Sequence, residues 1–220
     1  CRVTNEPPNP AVWTEAIEAL ERRLTRRGGA ETPPSVPPSA GITGAPGAGK
    51  SSVARALAER HPGSVVISTD RYLPDYDGLP PEEYDRPERA DLGLLRQNIA
   101  GLRARRATDL PVWSFETHAR VGFERTDPPG HDGLLIIEGI HALAAPVRGL
   151  LGVLVFVDAP LETRARRVVA RERAGERGWS PEDAEAFLRD IADPTFAAMA
   201  GEYRAAADVI VWNDDESSPS

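Results

Sequence analysis

The chain has 220 residues, of which 40% are hydrophobic and 27% charged, with a formal net charge of -8 at pH 7. That length supports one domain with a full core plus an extension and argues against two full-sized domains. The acidic balance disfavours nucleic acid or an anionic membrane as a partner, and the single cysteine, Cys1, excludes an internal disulfide and a thiolate zinc site.

Trp13, Ile17, Leu20 and Leu24 recur at helical spacing, so residues 11–27 are expected to form an amphipathic helix ended by Gly28 and Gly29. It could dock on the core or on another subunit. Residues 31–39 contain four prolines and read as an extended linker. A strand at 40–43 then runs into Gly44, Ala45, Pro46, Gly47, Ala48, Gly49, Lys50 and Ser51, which fit the spacing G-x-x-x-x-G-K-[ST]. Lys50 is the only lysine in a chain that otherwise uses arginine for positive charge. A compact ammonium reaching between two phosphates is the place where arginine's planar fork is no substitute. Backbone N–H groups of such a loop cradle phosphate at the start of the helix that carries Ser51 and Ser52, and the Ser51 hydroxyl can ligate Mg²⁺.

Helix is expected over 50–60, a strand over 65–68, and loop over 71–87, where four prolines sit among many acids. Further on come a helix at 90–105, a short strand at 110–113 and apolar strands at 134–137 and 151–157. Helices at 161–174 and 181–206 lead to a last strand at 208–212. Leu150 to Val157 is the longest apolar stretch and is too short to span a membrane, and the N-terminus lacks a signal-peptide pattern, so a cytoplasmic location is expected. Strands alternating with helices, phosphate loop first, imply an α/β fold of three layers with a mostly parallel central sheet.

Sites of open α/β sheets form at the carboxyl ends of the strands, and Asp70, Glu138 and Asp158 stand at such ends. Glu138 follows four apolar residues and suits a metal-holding acid. Asp70 precedes a long polar loop and suits the carboxylate that accepts a hydroxyl proton during phosphoryl transfer. Asp158 is read as a cap of the next helix. Arg164, Arg167 and Arg171 share a helical face, with Arg166, Arg173 and Arg177 beside them. Two or three of these guanidinium groups are expected to close over a triphosphate.

Taken in order, GITGAPGAGKSSVA, ISTDRYL, YDRPERAD, DLPVWSFETHAR, LLIIEGIHAL, the ERG at 176–178 and AADVIVWN resemble the uridine kinase family, over about residues 40–213. That resemblance implies a P-loop kinase fold with a helical lid, to which the spacing at residues 11–27 adds an extra N-terminal helix. It divides the chain into an N-terminal helix and Pro-rich linker at 1–39, a kinase domain at 40–213 and a disordered acidic tail at 214–220. It implies ATP and Mg²⁺ as cofactors, a small-molecule hydroxyl substrate, and self-association as a homo-oligomer. By position, Asp70 with Lys50 would be catalytic, and Ser51, Asp70 and Glu138 magnesium-associated. Asp85 would grip ribose hydroxyls, Trp113, Phe115, His118 and Arg120 would belong to the nucleoside site, and Arg167, Arg171 and Arg177 to the lid.

Four positions depart from the family pattern. Trp113 replaces a tyrosine, Arg86 a histidine, and Trp179 and Phe187 stand where an arginine and a glutamine help bind the nucleoside. The resemblance thus implies a uridine/cytidine kinase-like enzyme whose recognition of the base differs. A kinase of a modified nucleoside, sugar or other polyol in specialised metabolism, and a non-catalytic nucleotide-binding regulator, are the alternatives.

Overall fold

The computed structural model describes residues 17–18, 20–23, 36–175 and 178–214. Trp13, Leu24, most of the proline-rich linker, Arg177 and most of the acidic tail lie outside them. Five strands form one sheet in the order β2-β5-β1-β6-β7: β1 is Ser39–Thr43, β2 Val65–Ser68, β5 Leu135–Glu138, β6 Val153–Asp158 and β7 Val209–Trp212. Every pairing in it is parallel, with Ala40 facing Ile136 on one side and Val153 on the other. All five residues of β1 are buried, as a central strand covered on both faces requires.

The pleat sorts β5 between two cores. Leu135 and Ile137 join Ile67 and Phe156 against Leu95, Ile99 and Leu102 of α2 (Leu92–Arg103) and against Phe196 and Tyr203 of α6 (Asp193–Ala206). Ile136 faces the other way, into a cluster with Ile42, Val155 and with Val53 and Leu57 of α1 (Lys50–Arg60). Helix, sheet and helix are therefore the three layers expected. Ile17 and Leu20 are buried in that second cluster, and the Glu21 carboxylate accepts from Arg60 at 2.8 Å and contacts His61 at 3.3 Å. The described part of the N-terminal helix thus docks on its own core.

Three elements differ from the sequence reading. The strand at 110–113 is half of an antiparallel hairpin outside the main sheet, β3 (Thr108–Ser114) with β4 (Ala119–Thr126) and a bulge between Val112 and Trp113. β4 lacks an apolar run because both its faces meet solvent, and Val121 and Phe123 are each 58% exposed. The helix expected over 181–206 is interrupted. α5 (Pro181–Phe187) gives way to a π-helical turn, Leu188–Ala192, and then to α6, whose first turn holds Pro194. Proline has no N–H and clashes with the carbonyl four residues back, so the widened turn absorbs it. Asp158 does not cap α4 (Leu161–Arg173), whose N-cap is Pro160; it accepts instead from Arg204 of α6. α3 (Ala145–Arg148) completes the set, and among the described residues no helix is long and apolar enough to cross a membrane.

His141, just after β5, is fully buried, and neither ring nitrogen has a hydrogen-bond partner among the described residues. Burial lowers its pKa from 6.5 to about 4, with nearby Asp70 opposing the shift. An imidazole whose folded pKa is depressed favours the folded state above pH 6.5 and loses that contribution as pH falls toward 4. At about 1.4 kcal/mol per pKa unit, His141→Leu should change stability little at pH 7 and should exceed the native chain by about 2–3 kcal/mol at pH 4.5. Urea unfolding of both proteins at the two pH values checks this.

Candidate functional site

The loop between β1 and α1 owes its shape to glycines. Gly47 and Gly49 have φ of 79° and 98°, in the region side chains avoid, and a Cβ on Gly47 would lie 2.6 Å from the Arg164 carbonyl oxygen. Gly49 is also the N-cap of α1, so no side chain caps the helix, and its first turn has no acidic residue. The positive end of the helix is left to an external anion. Lys50 Nζ reaches back over the loop and donates to the Ala45 carbonyl at 3.0 Å.

The loop is braced from beneath. Arg167 of α4 donates to the carbonyls of Gly47 and Ala48 at 3.3 and 3.4 Å and to the Asn213 carbonyl at 3.3 Å. Asn213 Nδ2 itself donates to the Ala48 carbonyl at 2.8 Å. Arg167, expected over a triphosphate, thus holds the loop's backbone, and Asn213, quoted in a motif but assigned no role, is its partner. Arg164 serves packing: it donates to the Ala159 carbonyl and pairs with Asp193 at 2.6 Å.

Ser51 Oγ, in the first turn of α1, donates to Glu138 Oε2 at the end of β5 at 3.1 Å. Glu138 is 8% exposed, and its pKa is raised above the ordinary carboxylate value first by burial and then by the neighbouring Asp70 charge, against the opposing pull of Lys50. Asp70 sits on a single 3₁₀ turn, Thr69–Tyr72, after β2, and the Ser68 hydroxyl accepts from its N–H at 3.3 Å. Tyr72 pins that turn: fully buried, it donates to Asn98 Oδ1 at 2.9 Å, and Asn98 in turn donates to Thr108 Oγ1 at 2.9 Å. Ser51, Glu138 and Asp70 offer hard oxygen donors, the set Mg²⁺ takes alongside water and phosphate oxygens. The uncapped helix start with Lys50 fits a triphosphate.

These groups line one cavity. One end is formed by the loop residues Pro46, Gly47, Lys50 and Ser51, and Asp70, Glu138, Asp85 and Arg171 also line the cavity. Its far end is aromatic, with Trp113, Phe115, His118, Trp179 and Phe187 joined by Tyr76, which the sequence reading left in a polar loop. Tyr76 stacks on Tyr84 at 3.7 Å between ring centres and lies parallel to His118 at 5.3 Å. Trp179 Nε1 donates to His118 Nε2 at 2.8 Å, and Glu172, a buried acid also missed, accepts the Trp179 backbone N–H at 3.2 Å. His118 has φ of 49°, a strained value for a non-glycine residue, and its carbonyl accepts from the Tyr76 N–H at 2.9 Å.

The remaining expected residues fall elsewhere. Gly44, Ala45, Ala48, Gly49 and Ser52 form the rest of the loop and the first helical turn rather than the cavity wall. Arg120 turns away from the cavity: its N–H donates to Asp75 at 2.7 Å and its guanidinium to Asp91 at 3.3 Å. Arg177 lies outside the described residues.

Known proteins resemble the chain over most of its length. Residues 40–213 match the family described as Phosphoribulokinase / Uridine kinase family. The uridine kinase of Shewanella amazonensis is 33% identical over 183 residues, covering 78% of this chain and 85% of the relative. Uridine-cytidine kinase C of Dictyostelium discoideum is 32% identical over 159 residues, 72% of this chain but 35% of that longer protein. A solved structure from Silicibacter sp. TM1040 superposes with a TM-score of 0.67 at 20% identity, covering 89% of this chain and 97% of its own, a likeness of fold alone.

Proposed function

The chain belongs to the phosphoribulokinase/uridine kinase family and is a phosphotransferase acting on a hydroxyl group; from that premise we propose that it transfers the γ-phosphoryl group of ATP, with Mg²⁺, to a primary hydroxyl of a nucleoside or nucleoside-like molecule. Residues 40–213 would form the catalytic body and 1–39 an extension packed on it. The observation that carries the reading is the Ser51 to Glu138 hydrogen bond at the start of α1, with Asp70 in the same cavity. A phosphate clamp and a proton-accepting carboxylate thereby meet at one point.

Each residue then has a task. Loop amides and the start of α1 bind the phosphates, and the Lys50 ammonium neutralises charge that develops as the γ-phosphoryl leaves. Ser51 and Glu138 would hold Mg²⁺, which when bound would supply positive charge against that of the phosphate groups. Asp70 accepts the proton of the attacking hydroxyl and aims its oxygen in line with the phosphorus. Asp85 is suited to grip a diol, and the aromatic end receives the rest of the acceptor. Trp179 and Phe187, at places where the family hydrogen-bonds its nucleoside, favour a modified nucleoside over uridine. Incubation with MgATP and a library of nucleosides and other alcohols, read by ADP release and the mass of the product, tests the proposal. ATP binding with no phosphorylated product from any alcohol would refute it.

The raised pKa of Glu138 has a pH signature. Its carboxyl group stays protonated to a higher pH than an ordinary glutamate, so the grip on Mg²⁺ fails earlier as pH falls. kcat/KM for MgATP should decline on the acid side from above the usual carboxylate range. Glu138→Gln should remove that limb and raise the Mg²⁺ concentration needed for half-maximal rate by about tenfold or more. A pH profile at saturating acceptor, taken at several Mg²⁺ concentrations, measures both.

A further inference from the structure

We infer that the acceptor site reads a ring by its faces rather than its edge, with Trp179 as the residue that sets this preference; the inference rests on the kinase reading only in placing the acceptor's alcohol at Asp70. The substrate class is then an alcohol whose body is a planar aromatic group, with little dependence on hydrogen-bonding atoms around the ring.

Five rings form a closed circuit: Tyr76, His118, Trp179 and Phe187 line the far end of the cavity, and Tyr84 stacks on Tyr76 outside its lining. Tyr84 stacks on Tyr76 at 3.7 Å and 2°, and Tyr76 on His118 at 5.3 Å and 12°. His118 meets Trp179 edge-on at 5.9 Å, Trp179 meets Phe187 at 4.8 Å, and Phe187 returns to Tyr84 at 6.3 Å. The circuit joins the loop after β2, the β3–β4 turn and the α4–α5 segment. Trp113 adds an edge contact to Tyr76 and to His118.

Two ring nitrogens that could read a ring edge here are bound to each other. The indole N–H of Trp179 donates to His118 Nε2 at 2.8 Å, which takes up that donor and the imidazole lone pair together. Glu172 holds the Trp179 backbone, and Leu73, Ile140 and Val168 supply apolar wall. A site whose polar groups face the substrate rejects an analogue lacking the matching groups by orders of magnitude. A site made of ring faces is tolerant, because every planar ring offers a face.

The test compares uridine with 1-phenyl-β-D-ribofuranose, in which benzene replaces uracil and the ribose is unchanged. Both are titrated calorimetrically into the full chain with a non-hydrolysable ATP analogue and Mg²⁺. The phenyl riboside should bind as tightly as uridine or more tightly. Trp179→Phe keeps a ring but removes the indole N–H and releases His118 Nε2, so the ratio of the two dissociation constants should move about tenfold in favour of uridine. His118→Asn, which tolerates the left-handed backbone, breaks the circuit and should weaken the phenyl riboside at least fivefold. Unchanged affinity for the ATP analogue shows that each variant is folded. Native preference for uridine beyond tenfold, a ratio that Trp179→Phe moves less than twofold, or binding of neither riboside would overturn the inference. Tight binding of the phenyl riboside, with ATP giving no phosphorylated product from it or from any other alcohol, would uphold the inference and overturn the kinase reading instead.

Discussion

Asp70→Asn lowers kcat by about 10²- to 10⁴-fold, the usual loss when a positioned acid–base group is removed, while ATP still binds. Asparagine has the same shape, and the turn that carries position 70 is pinned by the buried Tyr72 to Asn98 hydrogen bond rather than by the carboxylate. What the amide cannot do is accept the hydroxyl proton. A second effect accompanies the first. The Asp70 charge is one of the causes that raise the Glu138 pKa, so its removal lets Glu138 ionise at lower pH and moves the acid limb of the residual activity downward. Steady-state kinetics across pH with calorimetry of MgATP checks both effects. Near-native kcat in the variant would mean that another group takes the proton.

Lys50→Ala reduces kcat/KM for ATP by roughly 10³-fold or more, because the single ammonium in the loop is lost at the point where charge accumulates in the transition state. Lys50→Arg should recover little of it, since the guanidinium is planar and longer and the Nζ position above the Ala45 carbonyl suits a compact cation. The chain's composition allows an independent measurement. Lys50 is the only lysine in the sequence, so among the side-chain amines an acylating reagent can reach only this one. A single side-chain acylation, found by mass spectrometry, should abolish turnover, and MgATP should protect against it. Activity that survives complete acylation would contradict the role given to Lys50.

The phosphate loop, the two acids at strand ends and the alternation of strands with helices were legible because each depends on local chemistry. Glycines at 47 and 49 are required by backbone angles, Glu138 ends a strand buried on both faces, and periodicity separates helix from strand. What the sequence withheld depends on contacts between distant segments. Tyr76 looks like one more residue of a proline-rich loop until the β3–β4 turn brings His118 beneath it. Arg167 belongs to an arginine-rich face that suggests anion binding, and only the fold reveals that the carbonyls of Gly47, Ala48 and Asn213 receive it. β4 escaped notice because a hairpin open to solvent on both sides needs no apolar pattern. The break at Pro194 was visible, but helical periodicity on both sides of it suggested one continuous element.

The position of β1 bears on how the protein is made. It is the middle of the sheet, yet the strands that flank it, β5 and β6, come from residues 135–158, synthesised long after it leaves the ribosome. Until they emerge, a strand that is buried along its whole length in the finished sheet has nothing to pair with, and the cradle that follows β1 has no floor. Nascent chains shorter than about residue 158 should therefore be unable to retain nucleotide and should be exposed to chaperone capture, since distant pairing must precede its energetic return.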